Sequence, residues 1–219
     1  MEVAEDHASL EQTEKHEVYF FLPSEDSTTD RETDAYPQAL IFYPGGKVQT
    51  EAYAPLCSQL AERGILCALV EMPFHLAVLD INAASDVMDY MSEHYACENY
   101  YIGGHSLGGA MASYYAYSET ESLQGLVLMG AYCDKDLSQS RLRVLSIYGS
   151  QDQILSRDKY EEGLAYMPAD FTEVLLQGGC HSYYGCYGLQ KGDGNPSISN
   201  EEQISETADA IAEWMQDQR

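Results

Sequence analysis

One hydroxyl stands among small residues in the run Gly103-Gly104-His105-Ser106-Leu107-Gly108-Gly109. A Gly-x-Ser-x-Gly string is short enough to arise by chance, and alone it reads equally as a glycine-rich strand-to-helix turn. As chemistry it offers a nucleophile. Gly104 and Gly108, two residues before and after Ser106, let a strand and a helix approach without side-chain collisions and leave the hydroxyl exposed. A serine hydroxyl attacks poorly unless a base takes its proton and an acid orients that base. Asp152 in YGSQD and His181 in QGGCH fit those roles and arrive in the order Ser106, Asp152, His181. Asp134, after LVLMGAY, is a rival for the acid. Among the other histidines, His105 is tied beside the serine, His94 falls in a helix, and His7 and His16 lie in a charged arm.

Charge developing on a substrate oxygen needs preorganised donors, each worth about 3 to 4 kcal/mol of barrier. The amide of Leu107, at a helix N-terminus, is one. A second is expected from Pro44-Gly45-Gly46-Lys47-Val48, at either Gly46 or Lys47. Together these groups describe acyl transfer to serine, with no metal and no organic cofactor.

Such groups must be held at strand ends. VYFFL (Val18 to Leu22), ALIFY (Ala39 to Tyr43), ILCALV (Ile65 to Val70), NYYIGG, LQGLVLMG (Leu123 to Gly130), RVLSIYG (Arg143 to Gly149) and FTEVLL (Phe171 to Leu176) read as strands. Tyr53, Leu56, Cys57, Leu60 and Ala61 recur on one helix face that Gly64 closes, and Ala84, Val87, Met88, Met91 and Tyr95 mark a second helix. LGGAMASYYAYSE continues the serine motif as a helix, another runs from about Asp158 to Met167, and Ile204, Ala208, Ile211, Ala212 and Met215 line the last. KGDGNPSISNEEQ suggests a calcium loop, but Ile204 occupies the position that needs a bidentate glutamate; Ser199 with Glu202 is a capping box instead. Strands alternating with crossover helices predict an α/β protein: a three-layer α/β/α sandwich around a mostly parallel, doubly wound sheet. The gap between LQGLVLMG and RVLSIYG is too short for a cap domain.

The chain has 219 residues, enough for one domain with a full core, divided into an acidic N-terminal arm, first strand and loop (1–35) and the main domain (36–219). MEVAEDHASLEQTEKHE and SEDSTTDRETD (Ser24 to Asp34) read as a solvated, poorly ordered arm and a surface loop. With 36 acidic residues against 11 basic ones, the formal charge of -25 repels nucleic acid and anionic membrane surfaces. No apolar run reaches transmembrane length and the N-terminus is unlike a signal peptide, so a cytoplasmic, soluble protein is expected. The six cysteines show no zinc framework, and Cys180 and Cys186 are expected as free thiols.

From Ala39 onward the chain resembles the α/β-hydrolases. YPGGKV with EAYAPL, EMPFHLAVL and GGCHSYYGCYGLQKGDG resemble a small, lidless bacterial branch described as dienelactone-hydrolase-like. The resemblance implies hydrolysis of an ester or lactone, and the lack of room for a cap suits a small one. The chain departs from it at Cys180, Ser182, Tyr183 and Tyr184, and at His75, where asparagine is expected, so substrate preference does not carry over. Phe74, His75, Tyr183 and Tyr184 are candidate pocket walls, His75 being equally a structural histidine. A thioesterase, peptidase or acyltransferase shares the triad, and a non-catalytic binding protein can share the fold.

Overall fold

The computed structural model describes residues 8–23 and 36–217. Eight strands form one sheet: β1 (Ala8–Gln12), β2 (Glu17–Phe21), β3 (Ala39–Tyr43), β4 (Leu66–Val70), β5 (Tyr100–His105), β6 (Gly125–Met129), β7 (Arg143–Gly149) and β8 (Phe171–Leu176). Their order is β1-β2-β4-β3-β5-β6-β7-β8. The β1–β2 and β2–β4 pairs are antiparallel, and β4 through β8 pair in parallel.

The helices are α1 (Ala54–Glu62), α2 (Ala83–Tyr95), α3 (Leu107–Ser118), α4 (Arg157–Gly163) and α5 (Asn200–Gln216). Because side chains alternate across a strand, β3 feeds two cores at once. Leu40 and Phe42 pack with Leu56 and Leu60 of α1 and Ile211 and Met215 of α5. Ala39, Ile41 and Tyr43 pack with Val87 and Met91 of α2 and Ala112 and Ala116 of α3. Burial on both faces explains the unbroken apolar runs of β3, β4 and β6. The result is a three-layer α/β/α sandwich. Residues 130–142, between β6 and β7, contain no helix or strand, so no cap interrupts the sheet there.

Helix ends follow local chemistry. Gly64 adopts φ 85 just beyond α1, and Ser199 with Glu202 forms a reciprocal capping box at α5, worth about 1 kcal/mol. The helix expected to Met167 ends at Gly163 and tightens into a 3₁₀ turn over Leu164–Tyr166.

The acidic arm is corrected in part. Ala8–Gln12 is a strand, not a disordered lead, and His16 is buried. Contacts distant in sequence hold this hairpin: Glu11 accepts from the hydroxyls of Tyr90 and Tyr95, and His16 bridges Asp86 at 2.8 Å and Asp80 at 3.0 Å. Thr13 also donates to Asp86. Residues 1–7 and the Ser24 to Asp34 loop lie outside the described residues. All six cysteines are free thiols. No helix among the described residues is long and apolar enough to cross a membrane.

Candidate active site

Parallel strands end together, so the segments after β3, β5, β6, β7 and β8 meet along one edge of the sheet. Backbone bonds stitch that edge: Ser106 N donates to Met129 O at 3.0 Å, Gly130 N to Ile147 O at 2.9 Å, and Gln151 N to Gly179 O at 2.8 Å.

Ser106 sits between β5 and α3 at φ 53 and ψ -119, a conformation that a residue with a Cβ adopts only under strain of about 1 to 3 kcal/mol. The turn is crowded enough to exclude side chains at both motif glycines. A Cβ on Gly104 would press on the Gly108 backbone, and one on Gly108 would collide with the carbonyls of Tyr43 and Pro44. Glycine is therefore required for α3 to dock against the loop after β3.

His181 Nε2 lies 2.9 Å from Ser106 Oγ, and its Nδ1 lies 2.8 Å from Asp152 Oδ2. Both His181 and Asp152 are buried. The other Asp152 oxygen accepts the amides of Ile154 at 2.9 Å and Leu155 at 2.8 Å, which fixes the carboxylate. Asp134, the alternative acid, is half-exposed and accepts from Tyr114 Oη at 3.0 Å.

The two candidate second amides differ in their commitments. Lys47 N donates to His75 O at 2.8 Å, whereas among the described residues neither the Gly46 nor the Leu107 amide has a protein acceptor. Gly46 also adjoins Leu107: an added Cβ would stand 2.8 Å from its Cδ2.

Beside Ser106 and His181 is a cavity of about 310 Å³, walled by Leu107 and Ala110, by residues 130–132 after β6 and by residues 154–156 after β7. Its lining is apolar apart from Tyr132, Ser156 and the catalytic candidates. None of the four aromatic or histidine residues expected as walls is part of it. Phe74 is 85% exposed, Tyr183 is partly buried, and Tyr184 is fully buried with its hydroxyl on Ile147 O at 3.1 Å. His75 instead serves the loop after β3, its carbonyl holding Lys47 while Nδ1 lies 3.2 Å from Glu71.

Two contributors had no local signal. Asp193, from the rejected calcium loop, accepts from His181 N at 3.2 Å and from Ser182 N and Oγ at 2.8 and 2.7 Å. Burial opposes its ionisation, but these bonds and one from Gly194 outweigh it and hold the carboxyl below the usual aspartate range. His105 is the other. Burial first, and then the neighbouring His181, push its pKa well below that of an ordinary histidine, so its imidazole is neutral. No cluster of His, Cys, Asp or Glu suited to a metal ion occurs among the described residues.

Solved structures share this architecture. Est1E from Butyrivibrio proteoclasticus is 14% identical over 96% of this chain and 98% of its own, with a TM-score of 0.67. XC6422 from Xanthomonas campestris, an a/b serine hydrolase without lid, is 13% identical over 98% of both chains, with a TM-score of 0.65. The esterase domain of a Rhodothermus marinus protein is 14% identical over 94% of this chain and 96% of its own, with a TM-score of 0.68. These likenesses establish the fold. No curated protein matches the sequence. The model of the alpha/beta hydrolase family matches residues 39–205, and the chain belongs to that family.

Proposed function

We propose that the protein is a serine hydrolase that cleaves a small carboxylic ester or lactone through an acyl-enzyme on Ser106. The observation that carries this reading is the unbroken chain Ser106 Oγ, His181 and Asp152, with links of 2.9 and 2.8 Å, at a strained strand-to-helix turn. His181 takes the Ser106 proton as Oγ bonds to the substrate carbonyl carbon, and Asp152 steadies the imidazolium. The carbonyl oxygen, now an oxyanion, is met by the amides of Leu107 and Gly46. His181 then returns the proton to the departing alkoxide, and water repeats the sequence to release the acid.

The substrate follows from the cavity. An opening of about 310 Å³ with a neutral, mostly apolar wall suits a short uncharged acyl group. The formal charge of -25 disfavours strongly anionic substrates.

The test has two parts. A fluorophosphonate probe labels the wild type and fails to label Ser106→Ala and His181→Ala; a folded wild type that resists the probe sinks the proposal. Turnover of p-nitrophenyl esters of increasing chain length, a thioester and a lactone then ranks the acyl groups. Preference for a long chain or for the thioester counts against the small-ester reading.

A further inference from the structure

His105 and Tyr53 form a buried polar pair that acyl transfer itself leaves unused. His105 is 1% exposed and Tyr53 is fully buried. His105 Nδ1 lies 2.8 Å from Tyr53 Oη, and the same Tyr53 oxygen accepts the Gly45 amide at 3.0 Å. The loop backbone rests directly on the pair: a Cβ added to Gly45 would stand 2.5 Å from that oxygen and 2.8 Å from His105 Nδ1. The residue before the nucleophile is thus tied to the residue before Gly46.

Packing alone is a poor account of these side chains. A buried polar atom without a partner costs about 1 to 3 kcal/mol. Among the described residues His105 Nε2 has none, so leucine at 105 would avoid a cost that histidine bears. What histidine supplies is the Nδ1 link to the loop, whichever tautomer closes it. The ring also lies 4.6 Å from that of His181, so a neutral group at this position spares the His181 imidazolium a like charge.

We propose that Tyr53 and His105 are positioning residues that hold Gly45, and through it the Gly46 amide, in register with the Leu107 amide across the developing oxyanion. The inference rests on the Ser106 mechanism. It assigns the pair an effect on the chemical step that is separate from stability.

Steady-state kinetics on a short p-nitrophenyl ester test it, alongside thermal melts and fluorophosphonate labelling. Tyr53→Phe preserves the ring and removes the oxygen. It is expected to lower kcat by about tenfold to a hundredfold, with KM within about twofold and the pH of half-maximal activity unmoved. His105→Asn places a polar atom as many bonds from Cβ as Nδ1 is, whereas the amide of His105→Gln reaches one bond further. His105→Asn therefore recovers most of the activity that His105→Leu and His105→Gln lose. An active wild type whose Tyr53→Phe form keeps full kcat, or in which Asn and Leu at 105 are equivalent, overturns this inference alone. A folded wild type that neither labels nor turns over overturns the Ser106 mechanism and the inference with it.

Discussion

On one flank of Ser106 the loop after β3 is held on either side of Gly46: Gly45 N by Tyr53 at 3.0 Å, Lys47 N by His75 at 2.8 Å, and Val48 N by Gly45 O at 3.2 Å. On the other flank, residues 130–132 and 154–156 frame an open cavity in which Ile154 and Tyr132 are half-buried and Ser156 is exposed. Lys47, Phe74 and His75, all on the first flank, hold φ values of 63, 53 and 55 without being glycine. Strain of about 1 to 3 kcal/mol per residue persists only where the surroundings over-determine the backbone. The contrast separates two jobs. Under the proposed mechanism the flank that carries the Gly46 amide needs fixed geometry whatever the substrate, while the cavity flank only has to accept a shape.

Substitutions can break that contrast, and the largest effect belongs to the shared machinery. Asp152→Asn keeps the shape of the acid and loses its charge, and it is expected to lower kcat by about 10⁴-fold. The loss is the same for acetyl, butyryl and hexanoyl esters, because Asp152 contacts His181 and not the acyl chain. A loss that varies with chain length, measured over the p-nitrophenyl series, contradicts the assignment.

The cavity flank behaves oppositely. Ser156 is exposed, makes no side-chain cap bond to α4 and lines the cavity, so a bulky replacement narrows the opening without disturbing a partner. Ser156→Trp is expected to cost hexanoyl esters about tenfold to a hundredfold in kcat/KM, with acetyl esters within about threefold. Equal losses for both would place this segment with the rigid machinery and erase the distinction.

A smaller effect appears in stability. Ser106→Gly removes the proposed nucleophile and relieves φ 53. Relative to Ser106→Ala, which loses the same hydrogen bond to His181, relief of about 1 to 3 kcal/mol is offset by about 0.5 to 1 kcal/mol from the freer unfolded glycine, leaving Ser106→Gly about 1 kcal/mol the more stable of the two. Denaturant midpoints measure this. A Ser106→Gly variant less stable than Ser106→Ala shows that the strain is not stored at Ser106.

The sheet and the three residues along its edge were legible because each carries a local mark. β3, β4 and β6 are apolar runs bounded by turns, and Ser106, Asp152 and His181 each come two or three residues after a glycine at a strand end. What escaped notice is carried by contacts distant in sequence. β1 has a nearly polar string whose Leu10 is 56% exposed, and only Tyr90 and Tyr95, about eighty residues on, reveal where Glu11 belongs. Tyr53 reads as one apolar position on a helix face, yet its hydroxyl joins His105 and Gly45. The aromatic residues near His181 suggested pocket walls by type alone, whereas Tyr184 is turned into the core beneath the site and the cavity is walled by residues 130–132 after β6 and 154–156 after β7.

Asp193 offers the finest probe, through pH, of how the His181 loop is held. Its carboxylate gathers the amides of His181, Ser182 and Gly194 and the Ser182 hydroxyl, and its pKa is lowered in the fold. In the unfolded chain an aspartate titrates near pH ~4. A folded pKa below that value means the unfolded state binds the proton first. The stabilisation from Asp193 is therefore complete above pH ~4 and drains away as pH falls through the folded pKa. Asp193→Asn cannot titrate, so wild type is the more stable at neutral pH and the gap between the two narrows on acidification below pH ~4. Urea midpoints of both proteins between pH 6 and about pH 2.5 measure that gap. If it stays constant, the carboxylate charge is not what holds the His181 loop. If it narrows, the Asp193 charge holds the loop that carries His181, as Tyr53 and His75 hold the loop that carries Gly46.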